Sequence, residues 1–371
     1  MIRSPTTGLG RPPTDMTDAM VLEGKSVLIT GGTGSLGKVL LRRLLTKEMG
    51  QPRKIIIFSR DEAKQHQLRL AYKHKTVATD EIIYHNFDQL VEFRIGDVRD
   101  YHSIASAVKD ADVIFNAAAL KQVPSCEYFP YEAVKTNIGG PENIVRVIRE
   151  HRVRVETVVG VSTDKACKPV NVMGMTKAIQ ERVFLSANVG SPDTRFICVR
   201  YGNVLASRGS VIPLFHEQIR VGGPVTITTE DMTRFLLSLD DAVNVIFAAV
   251  REARRGETYI PRVPSARVLD VARALVGDRR IRIETVGIRP GEKVHEILVS
   301  EEECHRTAER GPHYVIQSIL PEVRGAAAAV GALKGEYSSA DGVMPFDKLG
   351  TFLKSHKLMV EEAELADELL R

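Results

Sequence analysis

SVLITGGTGSLGKVLLRRLL, residues 26–45, decides the fold. SVLIT is a short apolar run of the length and composition of a buried strand, and KVLLRRLL repeats its apolar residues at helical spacing. Between them TGGTGSLG places Gly31, Gly34 and Gly37 at a strand-to-helix turn. Gly31 permits the tight turn, Gly34 lets a pyrophosphate approach the backbone, and Gly37 lets helix and strand pack closely. The helix start offers free N–H groups and a partial positive charge to an anion. The turn therefore reads as a dinucleotide cradle, with Thr33, Ser35 and Leu36 completing its contacts.

Working outward, the alternation continues with KIIIF (54–58), VEFRIGD (91–97), DVIFNAA (112–118), VETVVGVS (155–162) and RFICVR (195–200), separated by helix-like segments. Strands alternating with helices predict an α/β fold, a Rossmann-type doubly wound parallel sheet, with a smaller C-terminal α/β substrate-binding domain. The expected boundaries are a flexible leader over 1–22 and the cofactor domain over 23–200, with a returning segment near 234–262. A mainly substrate-binding region over 201–320 and a C-terminal extension over 321–371 follow. The chain has 371 residues, 51 Lys plus Arg against 47 Asp plus Glu, and a net charge of +4 with the signs interspersed. That balance gives no footprint for nucleic acid or a membrane, while leaving room for a basic pocket around one anionic ligand. No apolar run reaches the roughly 18 residues of a membrane span, and the first 22 residues lack a signal-peptide core. Cys126, Cys167, Cys198 and Cys304 show no metal-ligand spacing, so no metal site and a reducing, cytoplasmic compartment are expected.

Cofactor choice should be decided where the second strand ends. A carboxylate there would accept from the ribose hydroxyls of NAD. Here Ser59, Arg60 and Lys64 offer a hydroxyl and two cations suited to the 2′-phosphate of NADP, so NADP is favoured, and Asp61 keeps NAD open. Asp97, ending the third strand, should reach the adenine, with Val98 beside it and Ala117, Ala118 and Ala119 lining the crevice after the fourth strand.

The fifth strand runs into Ser162, Thr163, Asp164 and Lys165, at the carboxyl edge where open α/β sheets bind ligands. Met173 and Lys177 follow on one helix face. In short-chain dehydrogenases a tyrosine four residues before this lysine is the acid/base. Methionine cannot move a proton, so Thr163, Asp164 and Lys165 are the nearest replacements.

TGGTGSLG, FSRDEAKQ (58–65), AAALKQVPSCE (117–127), STDKA (162–166), NVMGMTK (171–177), RYGNVLASRGSVIPLF (200–215), MTRFL (232–236) and IRPGEK (288–293) together resemble the UDP-N-acetylglucosamine 4,6-dehydratases of bacterial polysaccharide and glycan pathways. These are members of the extended short-chain dehydrogenase superfamily, and the resemblance spans about residues 24–340. Both Met and Tyr occur in that family at the position of Met173. The resemblance implies that NADP+ takes hydride from sugar carbon 4, water leaves across carbons 5 and 6, and the hydride returns to carbon 6. By the same analogy Thr163 contacts the 4-hydroxyl, a neutral Lys165 removes the carbon-5 proton and a protonated Asp164 protonates the departing hydroxyl. Lys177 would hold the nicotinamide ribose, supported by Asn137.

Arg200, Arg208, Arg234 and Arg289 read as cations with few obvious acidic partners, and arginine suits a diphosphate. By resemblance, Lys121, Met173, Asn203, Arg208, Arg234, Arg289 and Glu292 would line the UDP-sugar site, with Glu292 accepting from the uridine ribose. His216 and His295 are given ordinary structural roles. A UDP-hexose 4-epimerase is the alternative enzyme, since its first half-reaction is identical. It needs neither an acid at carbon 6 nor a base at carbon 5. A cofactor-binding scaffold without activity is the non-enzymatic reading. A homo-oligomer is expected, with the terminal helix ELADELL as a contributor.

Overall fold

A computed structural model describes residues 20–73, 87–205, 210–324 and 331–360. The main sheet begins with β1 (Ser26–Thr30), β2 (Lys54–Ser59), β3 (Val91–Ile95), β4 (Val113–Asn116), β5 (Thr157–Val161) and β6 (Arg195–Val199). Helices α1 (Ser35–Leu45), α2 (Glu62–Lys73), α3 (Tyr101–Val108), α4 (Gly140–His151) and α5 (Val172–Gly190) lie between them in the chain. These strands pair in parallel in the order β3-β2-β1-β4-β5-β6. The winding direction reverses between β1 and β4, which opens a crevice at their carboxyl ends. Every residue of β1 is buried. Val27 and Ile29 enter one apolar cluster while Leu28 enters the cluster on the opposite face, so the strand reads as an unbroken apolar run. Burying each such side chain stabilises the fold by about 1.5–3 kcal/mol.

Helix α6 (Leu239–Glu252) and β9 (Thr258–Pro261) return to this layer, β9 pairing in parallel with β6. A capping box of Ser238 and Asp241 starts α6. Strands β13 (Thr307–Arg310) and β14 (His313–Ile316) then extend the sheet as an antiparallel hairpin on β9, giving nine strands. Residues 307–316 thus join the cofactor layer, whereas the sequence placed them with the substrate region. The sequence reading missed this because an antiparallel hairpin after a long excursion carries no βαβ rhythm.

The second layer contains β7 (Val225–Ile227), β8 (Thr233–Phe235), β10 (Ser265–Arg267), β11 (Ile283–Thr285), β12 (Ile297–Val299) and β15 (Tyr337–Ser338) as three two-stranded ladders. Its core joins Ile212, Phe215, Val271 and Leu275 to Leu349 and Leu353 of the C-terminal region, so residues 346–355 are built into this layer. Leader residues 1–19 and the terminal segment 361–371 expected to aid assembly lie outside the described residues. Among the described residues no helix is long and apolar enough to cross a membrane, and no cluster of three His, Cys, Asp or Glu could hold a metal. The four cysteines are buried free thiols.

Candidate active site

The glycine turn shows why small residues stand there. Gly31 has φ +67°, and a Cβ on it would lie 2.9 Å from the Ala118 backbone. A Cβ on Gly37 would lie 2.4 Å from the carbonyl oxygen of Gly32, which explains how closely α1 packs on the turn. Gly34 is the N-cap of α1 and provides no side-chain cap, so the helix start keeps N–H groups for an anion. The crevice wall opposite is formed by Ala117 and Ala118, whose N–H groups bond Thr30. Val98 is buried against Gly140. This cradle, open only because Cβ atoms are missing, fits a dinucleotide pyrophosphate.

The end of β2 sorts the candidates for the adenosine ribose. Ser59 is buried, and its hydroxyl accepts from Gln65 Nε2 at 3.0 Å. Lys64 is ion-paired with Asp61, whose carboxylate also accepts from the Lys64 backbone N–H at 3.0 Å. The hydrogen bond from the Lys64 side chain holds the Asp61 carboxyl below its usual range. Arg60 remains the half-exposed cation, 3.7 Å from Asp97. Asp97 is engaged by Arg99 at 2.6 Å and by Arg60. Burial pushes the Asp97 carboxyl up, and the Arg99 contacts outweigh it, leaving the group below its usual range. In the structure Ser59 and Lys64 have partners within the chain, and Asp97 is the counter-charge of two arginines.

The turn after β5 carries the reactive groups. Thr163 caps a short 3₁₀ turn, Asp164–Ala166, and its hydroxyl donates to Asp164 Oδ1 at 2.9 Å. Asp164 is completely buried, with its backbone N–H on the Tyr201 carbonyl and Oδ2 3.1 Å from the place a Cβ on Gly202 would occupy. Lys165 Nζ donates to Asp164 Oδ1 at 3.1 Å and to Asn203 Oδ1 at 3.0 Å, and it lies 3.0 Å from Glu296 Oε1. Desolvation raises the Asp164 carboxyl against the pull of Lys165, and the negative charge of Glu296 adds to that rise. For Lys165 desolvation acts downward, but Asp164 and Glu296 together outweigh it and keep the ammonium charged. The surroundings thus favour the protonated form of Asp164 that an acid role needs and the charged form of Lys165. The two carboxylates share the Lys165 ammonium, and each bears on the protonation of the other. Thr163 and Lys165 stand partly exposed, with Asp164 and Glu296 beneath them.

Lys177 on α5 is buried and donates to the Val161 carbonyl at 2.6 Å and to Gln180. Desolvation lowers its ammonium to about 8. Asn137 makes no hydrogen bond to Lys177. From a π-turn, Lys135–Gly139, it clamps both backbone groups of Leu120 and donates to Thr176 Oγ1 at 3.0 Å, one residue before the lysine. It fixes the helix rather than the ammonium. Met173 is buried beside Cys126 and Ala133 in a small apolar cluster, so its expected place against substrate is not where the side chain packs.

Of the remaining substrate candidates, the fold brings Asn203 and Arg234 to the trio. The Arg234 guanidinium donates to the carbonyls of Thr233, Val294 and Lys293 and has Nε 4.0 Å from Glu296. The turn holding Arg289 and Glu292 is tied to the start of α5, where Asn171 donates to the Gly291 carbonyl at 2.7 Å. Arg289 is exposed, and Glu292 accepts from Thr228 at 3.2 Å. Lys121 is exposed after β4. Arg208 lies outside the described residues. Arg200 departs from its expected role: it is buried between Glu181 and Glu303 and ion-paired with both. His295 Nδ1 bonds Thr233 Oγ1 at 2.8 Å and His216 Nε2 bonds the Leu358 carbonyl at 2.9 Å, both structural contacts. Sequence reasoning missed Glu296 and also Lys293, which donates to the Cys167 carbonyl at 2.6 Å and ties the 288–293 turn to the catalytic one.

A family model described as polysaccharide biosynthesis protein matches residues 27–318. A UDP-glucose 4-epimerase of Rickettsia bellii is 43% identical over 297 residues, covering 79% of this chain and 82% of that protein. A UDP-N-acetylglucosamine 4,6-dehydratase (inverting) of Campylobacter jejuni is 40% identical over 299 residues, covering 80% of this chain and 84% of that protein. Among solved structures, Pen from Bacillus thuringiensis has a TM-score of 0.80 at 33% identity, covering 91% of this chain and 99% of that one.

Proposed function

The chain belongs to the polysaccharide biosynthesis protein family of the extended short-chain dehydrogenase superfamily, and from that membership we propose that it is an NADP-dependent 4,6-dehydratase of UDP-N-acetylglucosamine. At the coarser level it is a nucleotide-sugar dehydratase or epimerase. The observation that carries the finer reading is the buried Asp164 beside Lys165 at the end of β5, an acid and a potential base in contact at 3.1 Å. Loss of water across carbons 5 and 6 needs such a pair, and epimerisation at carbon 4 does not. The relatives named UDP-glucose 4-epimerase favour the second reading.

Bound NADP+ supplies the hydride acceptor and donor that leaves the reaction without net redox change. Gly31, Gly34 and Gly37 would hold its pyrophosphate and Lys177 its nicotinamide ribose. Thr163 orients the sugar 4-hydroxyl. Lys165, once it has given up its own proton, accepts the proton of carbon 5. Asp164 would supply the proton for the departing hydroxyl through Thr163 Oγ1, which donates to Asp164 Oδ1 at rest and would turn to accept from the acid, since Asp164 itself does not reach the surface. Asn203, Arg234, Arg289 and Glu292 would hold the UDP portion, in a cytoplasmic homo-oligomer.

NADP is proposed over NAD because Asp61 is neutralised by Lys64 while Arg60 stays half exposed. An Arg60→Ala protein is expected to bind NADP+ about tenfold more weakly, on the order of 1.4 kcal/mol, with NAD+ binding unchanged. Calorimetric titration with both cofactors checks this, and equal weakening would remove the preference.

The reaction itself is tested by incubating the purified protein with UDP-N-acetylglucosamine in deuterated water, followed by mass and proton NMR analysis. A product lighter by one water and carrying deuterium at carbon 5 is expected. An isomer of unchanged composition without solvent deuterium on carbon would make the enzyme an epimerase.

A further inference from the structure

Lys165 has a second carboxylate that the reaction scheme above leaves idle. Glu296, only 2% exposed, sits just before β12 with Oε1 3.0 Å from Lys165 Nζ, while Asp164 Oδ1 lies 3.1 Å from the same nitrogen. Each carboxylate also has one buried oxygen without a hydrogen-bond partner, Glu296 Oε2 and Asp164 Oδ2. Two ionised carboxylates in that position would each strand a charged oxygen away from water, at a cost one ammonium cannot offset. The surroundings break the tie. Glu296 faces the positive charges of Lys165, Arg234 and Lys293, whereas Asp164 has Lys165 as its main positive neighbour, with Lys293 acting more on Glu296 than on it, and is packed against Gly202.

We propose that Glu296 is a positioning residue for the proposed dehydration, acting through Lys165: it carries the negative charge of the buried group and so leaves the proton on Asp164. The resting site then holds one ammonium, one carboxylate and one carboxylic acid. Glu296 also gives the Lys165 proton a destination. An N–H bond at Nζ breaks and an O–H bond at Glu296 Oε1 forms, turning the ammonium–carboxylate pair into an amine–acid pair without change of total charge. The freed amine is the form able to accept the carbon-5 proton. The same residue therefore makes Asp164 an acid at rest and lets Lys165 become a base, which resolves how adjacent Asp and Lys avoid remaining an inert ion pair.

This rests on the dehydratase reading, but its first test does not need turnover. In substrate-free protein labelled with 13C at aspartate carboxyls, the Asp164 resonance is identified by its loss in Asp164→Asn and followed against pH. A midpoint above the usual carboxylate range is expected, moving down by at least about one pH unit in Glu296→Gln. A wild-type midpoint at or below the usual range overturns the proposal, as does an unchanged midpoint in Glu296→Gln. The wild-type titration decides even if the glutamine variant does not fold. In turnover, Glu296→Gln should lower kcat about 100-fold with KM within about twofold, and Glu296→Asp, which keeps the charge, should recover most of the loss. A glutamine variant with wild-type kcat would also refute the assignment. If the wild-type enzyme turns over no UDP-N-acetylglucosamine, the function fails while the titration still judges Glu296.

Discussion

An Asp164→Asn enzyme is expected to release water from its nucleotide sugar about 10²–10⁴ times more slowly than the wild type, the span by which a positioned general acid accelerates proton transfer. Asparagine fills the same volume and can still meet Thr163 and Lys165, so the turn should keep its shape, but it has no proton to give. Oxidation at carbon 4 does not require that proton. Reduced cofactor should therefore accumulate on the variant after mixing with sugar, as rising nicotinamide absorbance in stopped flow, where the wild type shows only a transient. Dehydration within threefold of wild type would remove Asp164 from the acid role and leave Lys165 as the proton source. Loss of both absorbance and turnover would mean that the side chain holds the turn together instead. Glu296→Gln is distinct from either outcome because it leaves the Asp164 carboxyl in place while removing the charge that holds its proton and the acceptor for the proton of Lys165.

How far this site is legible in the sequence depends on the distance between its parts. Strands β1 to β6 are plain because parallel strands buried on both faces must be continuous apolar runs, and the glycine turn is plain because its spacing answers one local geometry. Thr163, Asp164, Lys165 and Lys177 lie within one strand–turn–helix unit, so their convergence follows from local order. Glu296 arrives from the second layer on a loop whose register no periodicity reports. Without it, Asp164 and Lys165 read as a simple pair with an unresolved conflict of protonation. With it, the conflict becomes an ordered charge distribution. The same limit explains Ser59, which is taken by Gln65 from the next helix, and Asn137, whose bond goes to Thr176 and not to the lysine one residue on.

Arg200 carries the lesson furthest, and replacing it with leucine is expected to cost about 3–5 kcal/mol of stability, the penalty for breaking a buried ion pair by removing one partner. Its guanidinium donates to Glu181 Oε2 at 2.6 Å, to Glu303 Oε2 at 2.8 Å and to the Leu298 carbonyl at 2.9 Å. Glu181 lies on α5, the helix of Lys177, and Leu298 lies on β12, two residues beyond Glu296, so the arginine joins the two elements that bring the catalytic side chains together. Burial alone would raise the Glu303 carboxyl, but Arg200 and the bonds around it hold the group at about 2, down from an ordinary 4.5. A carboxyl depressed in the folded state stabilises above its unfolded pKa and loses that contribution as pH falls through the folded value. Wild-type stability, measured by urea unfolding, should therefore decline between about pH 4.5 and pH 2, and Glu303→Gln should flatten that decline. A loss below about 1 kcal/mol in Arg200→Leu, the scale of an exposed ion pair, would return the arginine to the surface and reopen its candidacy as a diphosphate ligand. A large loss with unchanged UDP affinity in the surviving folded fraction would show that this cation, conspicuous in sequence beside Asn203, works by locking the platform beneath the site.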